Sequence, residues 1–104
     1  MTHPSKRKGN TFEREVVDAA KAAGLESKRA WGSDGRSLGF SPEVDLVIGD
    51  AKVQAKRRRS IAEYLKPSEA VDAVVFREDR GETLVLMKFD TYLEMLSNDR
   101  SEPS

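Results

Sequence analysis

There is no cysteine anywhere in the 104 residues. That excludes a disulfide framework, a thiolate metal site and a cysteine nucleophile, and it fits a reducing compartment. No apolar run approaches the ~18 residues of a membrane span. The basic N-terminus has no apolar segment behind it, so it does not read as a secretory signal. There is no internal repeat and no glycine-rich phosphate loop. Aromatics make up only 7% of the chain, with a single tryptophan, Trp31. A chain of this length makes one modest core, burying roughly 65% of its unfolded surface, and is read as one domain spanning residues 1–104.

An excess of either charge is also missing: 18 basic residues balance 18 acidic ones. The balance hides an asymmetry. Residues 1–59 hold 13 Lys/Arg against 8 Asp/Glu, and residues 60–104 hold 5 against 10. The basic half contains Lys6-Arg7-Lys8, Lys28-Arg29 and Lys56-Arg57-Arg58-Arg59. Separate basic clusters of this kind suit a polyanion surface if folding brings them together. In a chain with 35% charged residues they also suit plain solvated faces.

The most informative stretch runs from Glu43 to Lys56. Gly49-Asp50 has the makings of a two-residue type II′ turn between two short strands. Ile48 then faces Ala51, Asp45 lies opposite Gln54, and Glu43 lies opposite Lys56. Because strand side chains alternate, Val44, Leu46, Ile48, Ala51, Val53 and Ala55 form an apolar face. Asp45, Gln54 and Lys56 share the other face, with Glu43 at its end. Asp45 and Lys56 taken alone would be a surface ion pair contributing about 0–1 kcal/mol.

Upstream, residues 1–9 read as a flexible basic N-terminus. Asn10 or Thr11 caps the first helix, and Asn10-x-x-Glu13 has capping-box spacing. Phe12, Val16, Ala19, Ala20 and Ala23 recur at helical spacing as its buried stripe, and Gly24 ends it. Glu13, in the first turn, also suits the helix dipole. Leu25 to Ala30 reads as a strand. The segment from Trp31 to Pro42, with three glycines, three serines and a proline, reads as a long loop without regular structure. Loops of that length inside a compact domain are functional or disordered. Trp31 and Phe40 in it have either a base-stacking or wedging role or close the end of the core.

Downstream, Ser60-x-x-Glu63 predicts a helix with Ile61, Tyr64 and Leu65 on its apolar side, ended by Pro67. Ala73–Phe76 and Thr83–Phe89 read as a hairpin around Glu78–Glu82. Thr91-x-x-Glu94 predicts a last helix, and residues 98–104 a frayed tail. The order α-β-β-β-α-β-β-α implies an α/β (α+β) domain, a mixed sheet flanked by helices.

Glu13 on the first helix, Asp45 on one strand, and Gln54 and Lys56 on the next resemble the PD-(D/E)xK nuclease superfamily. More narrowly the chain resembles the archaeal and phage Holliday junction resolvases. Those begin Arg-Lys-Gly-x-x-x-Glu-Arg-Glu, here Arg7-Lys8-Gly9 and Glu13-Arg14-Glu15. A Gly-Ser pair follows their first strand, here Gly32-Ser33. A Val-Asp-Leu-Val segment follows, here Val44 to Val47, and then the E-x-K strand, here Gln54-x-Lys56. The resemblance runs from Arg7 to Arg59. It departs in two places: Pro42 sits three residues before Asp45, and glutamine replaces the usual glutamate at position 54. The related viral replication-repair nucleases include such Q-x-K variants.

The resemblance implies a restriction-endonuclease-like fold and Mg²⁺-dependent hydrolysis of phosphodiester bonds in branched DNA, with Mn²⁺ able to substitute. Asp45, Gln54 and Glu13 would be the metal ligands, Lys56 would orient the attacking water, and Ser33 would bond a phosphate oxygen or a metal-bound water. Arg7, Lys8, Arg14, Lys28, Arg29, Trp31, Arg36, Arg57, Arg58 and Arg59 would bind DNA. A resolvase acts as a two-fold homodimer, in the cytoplasm of a prokaryotic or phage-infected cell. The other functions open to this fold are a viral replication-repair or restriction-like nuclease acting on flaps or forks, and a catalytically weak DNA-binding module.

Overall fold

The computed structural model describes the backbone of residues 4–101 and the side chains of residues 10–98. Residues 1–3 and 102–104, the outer parts of the expected flexible terminus and tail, lie outside the described residues. The chain divides into two compact units, Met1–Arg57 and Arg58–Ser104.

The first unit opens with a helix, α1, over Pro4–Ala22. It starts six residues before Asn10, so Asn10 lies inside the helix and does not cap it. Proline is well placed at a helix start, because its φ is already helical and its missing N–H would have no partner there. The buried face of α1 is Glu13, Val16, Val17 and Ala20, the i, i+3, i+4, i+7 stripe of one helix side. Phe12 is only half-buried and Ala23 is exposed, which shifts the expected stripe by about one position. The helix ends as its sequence predicts. Gly24 has φ +85, its N–H donates to Lys21 O at 2.9 Å, and the Leu25 N–H reaches back to Ala20 O at 3.0 Å. These paired bonds satisfy two of the last helical carbonyls.

Three short strands follow: β1 Ser27–Arg29, β2 Leu46–Ile48 and β3 Ala51–Val53. They form an antiparallel sheet in the order β1-β2-β3. Ser27 pairs with Ile48 and Arg29 with Leu46; Ile48 pairs with Ala51 and Leu46 with Val53. The hairpin register is the one the sequence predicts. Gly49 has φ +57 while Asp50 does not have positive φ, the pattern of a II′ turn. Val44, Leu46 and Ile48 are buried, as are Leu25 and Ala30. Together with the α1 stripe they form the core of this unit.

Between β1 and β2 the expected irregular loop contains two 3-10 turns, Trp31–Ser33 and Gly35–Leu38. Gly35 is the pin that closes it. A Cβ at this position would lie 2.1 Å from Ser41 O and 2.7 Å from Val44 Cβ, so only glycine lets the two arms of the loop meet.

In the second unit, β4 (Ala73–Phe76) and β5 (Leu84–Met87) form an antiparallel hairpin. The helix α2 (Phe89–Ser101) follows. It begins two residues before Thr91 and continues to Ser101, into the segment expected to fray. The helix predicted from Ser60 does not form; only Glu63–Leu65 makes a 3-10 turn. Pro67 limits any helix there to under two turns, too few to offset nucleation, and the residue before a proline avoids the α region. Lys66 is accordingly extended, with φ −83 and ψ 123. The α/β class stands, but among the described residues both sheets are antiparallel and not one mixed sheet.

Candidate active site

Glu13 is the only charged side chain buried among the described residues, 6% exposed. Stripping water from a carboxylate is costly unless hydrogen bonds or a counter-charge replace it. Here both do. The Ser33 hydroxyl donates to Glu13 Oε1 at 2.8 Å and lies 3.0 Å from Oε2. Arg29 Nε lies 3.3 Å from Oε1. Asn10, one helical turn before Glu13, places its Oδ1 3.4 Å from Ser33 Oγ and 3.5 Å from Arg29 Nη2.

Local backbone makes this cluster. Arg29 projects from β1 on the face it shares with its partner Leu46, toward α1. Ser33 follows Gly32 in the left-handed region, at φ 58 and 62 respectively. A non-glycine residue there is strained, and such strain collects at functional sites. The conformation turns the Ser33 side chain back onto α1. Ser33 was expected to hold a phosphate or a metal-bound water; its hydroxyl is committed to Glu13. Arg29, expected among the DNA-binding cations, is turned inward onto the same carboxylate. Asn10 was read as a cap; its signal is the i, i+3 spacing to Glu13, which puts both on one helix face.

Asp45 is fixed at three points. Its carbonyl accepts the Ala30 N–H at 2.8 Å, and its own N–H donates to Val53 O at 2.9 Å. Its Oδ2 accepts the Ala55 N–H at 2.8 Å. Val53 is the ladder partner of Leu46, so Asp45 and Leu46 both address one residue of β3. This is the pattern of a bulge, which ends regular pairing and re-aims a side chain. It corrects the expected register beyond Leu46: Asp45 is not a ladder partner of Gln54, nor Glu43 of Lys56. Glu43 instead accepts from the Ser41 hydroxyl at 3.2 Å. The Asp45 carboxylate takes the place of a ladder carbonyl for Ala55.

Gln54 and Lys56 alternate with Val53 and Ala55 and are exposed, as the sequence predicts. Gln54 borders an open depression of about 520 Å³ with Phe40, Glu43 and Lys52 among its walls. The Lys52 ammonium sits 5.0 Å from the centre of the Phe40 ring, a cation–π contact that gives Phe40 a structural role. Lys28, Arg14, Arg57, Arg58 and Arg59 are exposed. Arg36 is exposed too, but its guanidinium grips Asp34, with Nε 3.0 Å from both carboxylate oxygens. The side chains of Arg7 and Lys8 lie outside the described residues; their backbone is in α1.

Asp45 and Gln54 carry oxygen donors, a carboxylate and an amide carbonyl, of the kind a hard cation such as Mg²⁺ takes; the depression that Gln54 borders is lined by Glu43 and not by Asp45. Glu13 Oε1 accepts from Ser33 and faces Arg29, while Oε2 has only the longer approach of the same Ser33 hydroxyl and keeps acceptor capacity. Among the described residues no three His, Cys, Asp or Glu side chains group as a metal site; a site built on Gln54 has two carboxylates and is not of that kind.

A buried carboxylate on the first helix, an aspartate just before β2 and a Gln-x-Lys segment just past the end of β3, on an α/β fold, follow the order of the PD-(D/E)xK nucleases. The profile of the archaeal Holliday junction resolvase (hjc) family matches residues 4–102, and the chain belongs to that family, whose activity is directed at Holliday junction DNA. No curated protein and no solved structure matches the chain. No helix among the described residues is long and apolar enough to cross a membrane.

Proposed function

We propose that the protein is a Mg²⁺-dependent endonuclease that nicks opposed strands of four-way DNA junctions. The observation that carries this is Glu13. The one carboxylate that the first unit buries is the one at the family's helix position, and three polar side chains from two other elements and α1 itself hold it in place. A fold with no use for that charge is usually as stable with an apolar residue there.

In this reading Asp45 and Gln54 hold the cation directly. When bound, Mg²⁺ polarises the scissile phosphate and acidifies a water. Lys56, two residues after Gln54 and exposed like it, orients the attacking water and offsets charge building on the phosphate. Glu13 would bind the cation through water or directly, and it keeps Ser33 and Arg29 in register. The exposed Arg14, Lys28, Arg57, Arg58 and Arg59 contact backbone phosphates, which position DNA without reading sequence. Two opposed nicks call for two sites related by a two-fold axis, hence a homodimer.

Gln54 favours a second reading, a fork or flap nuclease of the same fold related to the Q-x-K viral replication-repair enzymes. One gel separates them: a synthetic four-way junction, a flap and a linear duplex, each with Mg²⁺ and with EDTA. Symmetric paired nicks in the junction alone support the resolvase. Flap cleavage without junction cleavage selects the second reading, and no divalent-dependent nicking of any substrate rejects both.

A further inference from the structure

Trp31 is 85% exposed, although it is the only tryptophan in a chain with little aromatic surface. It does not close the core. Its backbone is nevertheless fixed on both sides. Its N–H donates to Ser37 Oγ at 2.8 Å, and its carbonyl accepts the Asp34 N–H at 3.2 Å. Ser37 Oγ in turn donates to Asp34 O at 3.1 Å, Arg36 clamps the Asp34 carboxylate, and Gly35 is pressed against Ser41 and Val44. The loop spends three side chains and an obligatory glycine on holding one indole out in solvent.

The position of that indole is set by the two carboxylates. The residue before it, Ala30, holds the Asp45 carbonyl through its N–H. Two residues after it, Ser33 holds Glu13. Trp31 therefore springs from the short segment that ties one carboxylate to the other. Two residues of chain span at most about 7 Å, and bases along one strand are about 3.4 Å apart. The indole thus reaches a base within a few nucleotides of whatever phosphate the carboxylates address.

We infer that Trp31 is a specificity-determining residue, stacking on a base left without a stacking neighbour at the branch point of the DNA. The inference rests on the resolvase reading. In a linear duplex every base is already stacked, and exposing one costs energy. At a junction, stacking is interrupted where strands change partners, so an exposed aromatic face finds an open base there that a continuous duplex offers only at its ends. A fixed backbone beneath the indole also lowers the ordering cost of binding. The exposed cations of the same unit, Lys28 on β1 and Arg14 on α1, bring the backbone up without regard to sequence or branching; the indole is what distinguishes branched from linear DNA.

Because Trp31 is the sole tryptophan, its emission is a direct probe. The protein is titrated in EDTA, where no strand is cut, with a four-way junction and with a linear duplex of the same sequence. The expected result is strong quenching by the junction and little by the duplex. Trp31→Ala should lower the junction-to-duplex affinity ratio about tenfold to a hundredfold, with an unchanged far-ultraviolet circular dichroism spectrum. Trp31→Phe, which keeps a smaller stacking face, should fall between. Unchanged emission at saturating junction overturns the inference, as does a Trp31→Ala variant with the wild-type ratio. If wild type prefers the junction and Trp31→Ala prefers it to the same degree, stacking alone is refuted. If wild type shows no preference, the inference and the resolvase reading fall together.

Discussion

The Ser33 hydroxyl donates to the Glu13 carboxylate at 2.8 Å across twenty residues of sequence. Ser33 holds this bond from a left-handed conformation with φ 58, so the loop accepts backbone strain to make it. The bond and the strain act in opposite directions on stability, and substitution separates them.

Ser33→Ala loses the bond and keeps the strain. A hydrogen bond to a buried charged group is worth about 1.5–3 kcal/mol, and urea unfolding should show a loss of that size. Ser33→Gly loses the same bond but relieves about 1 kcal/mol of left-handed strain. It should therefore be the more stable of the two by about that amount. The opposite order would mean that Ser33 is not strained in solution.

Arg29→Met removes the counter-charge of a side chain only 7% exposed. Breaking a buried pair by deleting one partner costs about 3–5 kcal/mol. Arg29 is itself 24% exposed, which lets water replace part of the loss, so about 2–3 kcal/mol is expected. The double variant Arg29→Met/Glu13→Gln, with no charge left to bury, should recover a good part of it. A double variant no more stable than Arg29→Met would show that the pair is not what holds this corner together.

The Asp34–Arg36 clamp makes the Trp31 loop sensitive to acid. The Asp34 carboxyl is held below its ordinary value of 3.8, first by the Arg36 side-chain hydrogen bond and then by the Arg36 backbone N–H. A carboxyl depressed on folding adds stability that is fully present above its ordinary value and is lost as pH falls toward the folded one. Asp34→Asn, which keeps an oxygen to cap the turn, abolishes that dependence. The stability difference between wild type and Asp34→Asn should be flat above about pH 5 and shrink below about pH 4. A difference that stays constant down to pH 3, followed by denaturant unfolding, would rule the clamp out.

Asp45→Asn should abolish nicking and leave junction binding in place. The asparagine carbonyl still accepts the Ala55 N–H, so the bulge survives while the charge that holds a cation is gone. Nicking by Asp45→Asn at anything near the wild-type rate would remove Asp45 from the site.

The sequence carries much of this geometry because local rules and packing agree there. Gly49-Asp50 dictates the turn, the turn dictates Ile48 opposite Ala51, and the alternation of Val44, Leu46 and Ile48 dictates which face is buried. Glu13 was visible from its match to the Arg-Lys-Gly-x-x-x-Glu-Arg-Glu pattern; its place at the edge of an apolar stripe read as a helix-start role, which a helix beginning at Pro4 does not give it. The bulge at Asp45 was not visible, because nothing in a two-residue alternation announces that one N–H will turn to a different carbonyl. Nor was the inward turn of Arg29: a basic residue on a short strand looks the same whether it faces DNA or a buried carboxylate. The Ser60 capping box misled because a cap stabilises a helix only if enough residues follow it, and Pro67 does not leave enough.

Gln54→Glu tests the least usual feature of the site. Gln54 is exposed, so the change should cost no more than about 0.5 kcal/mol of stability. If its carbonyl oxygen is a ligand, replacing it with a carboxylate adds a full charge to a site whose other carboxylates are Asp45 and a Glu13 already bonded to Ser33. Cation affinity then rises, because for hard oxygen sites affinity follows the number of charged ligands. The Mg²⁺ concentration giving half-maximal nicking should fall about tenfold, which corresponds to about 1.4 kcal/mol. Isothermal titration with Mn²⁺ in the absence of DNA should show the same direction. Lys56, two residues on and also exposed, bounds the effect from the other side: a Gln54→Glu carboxylate that paired with the Lys56 ammonium instead of a cation would leave Mn²⁺ affinity unchanged and slow nicking. That outcome would place Gln54 outside the metal shell and leave the cation to Asp45 and Glu13.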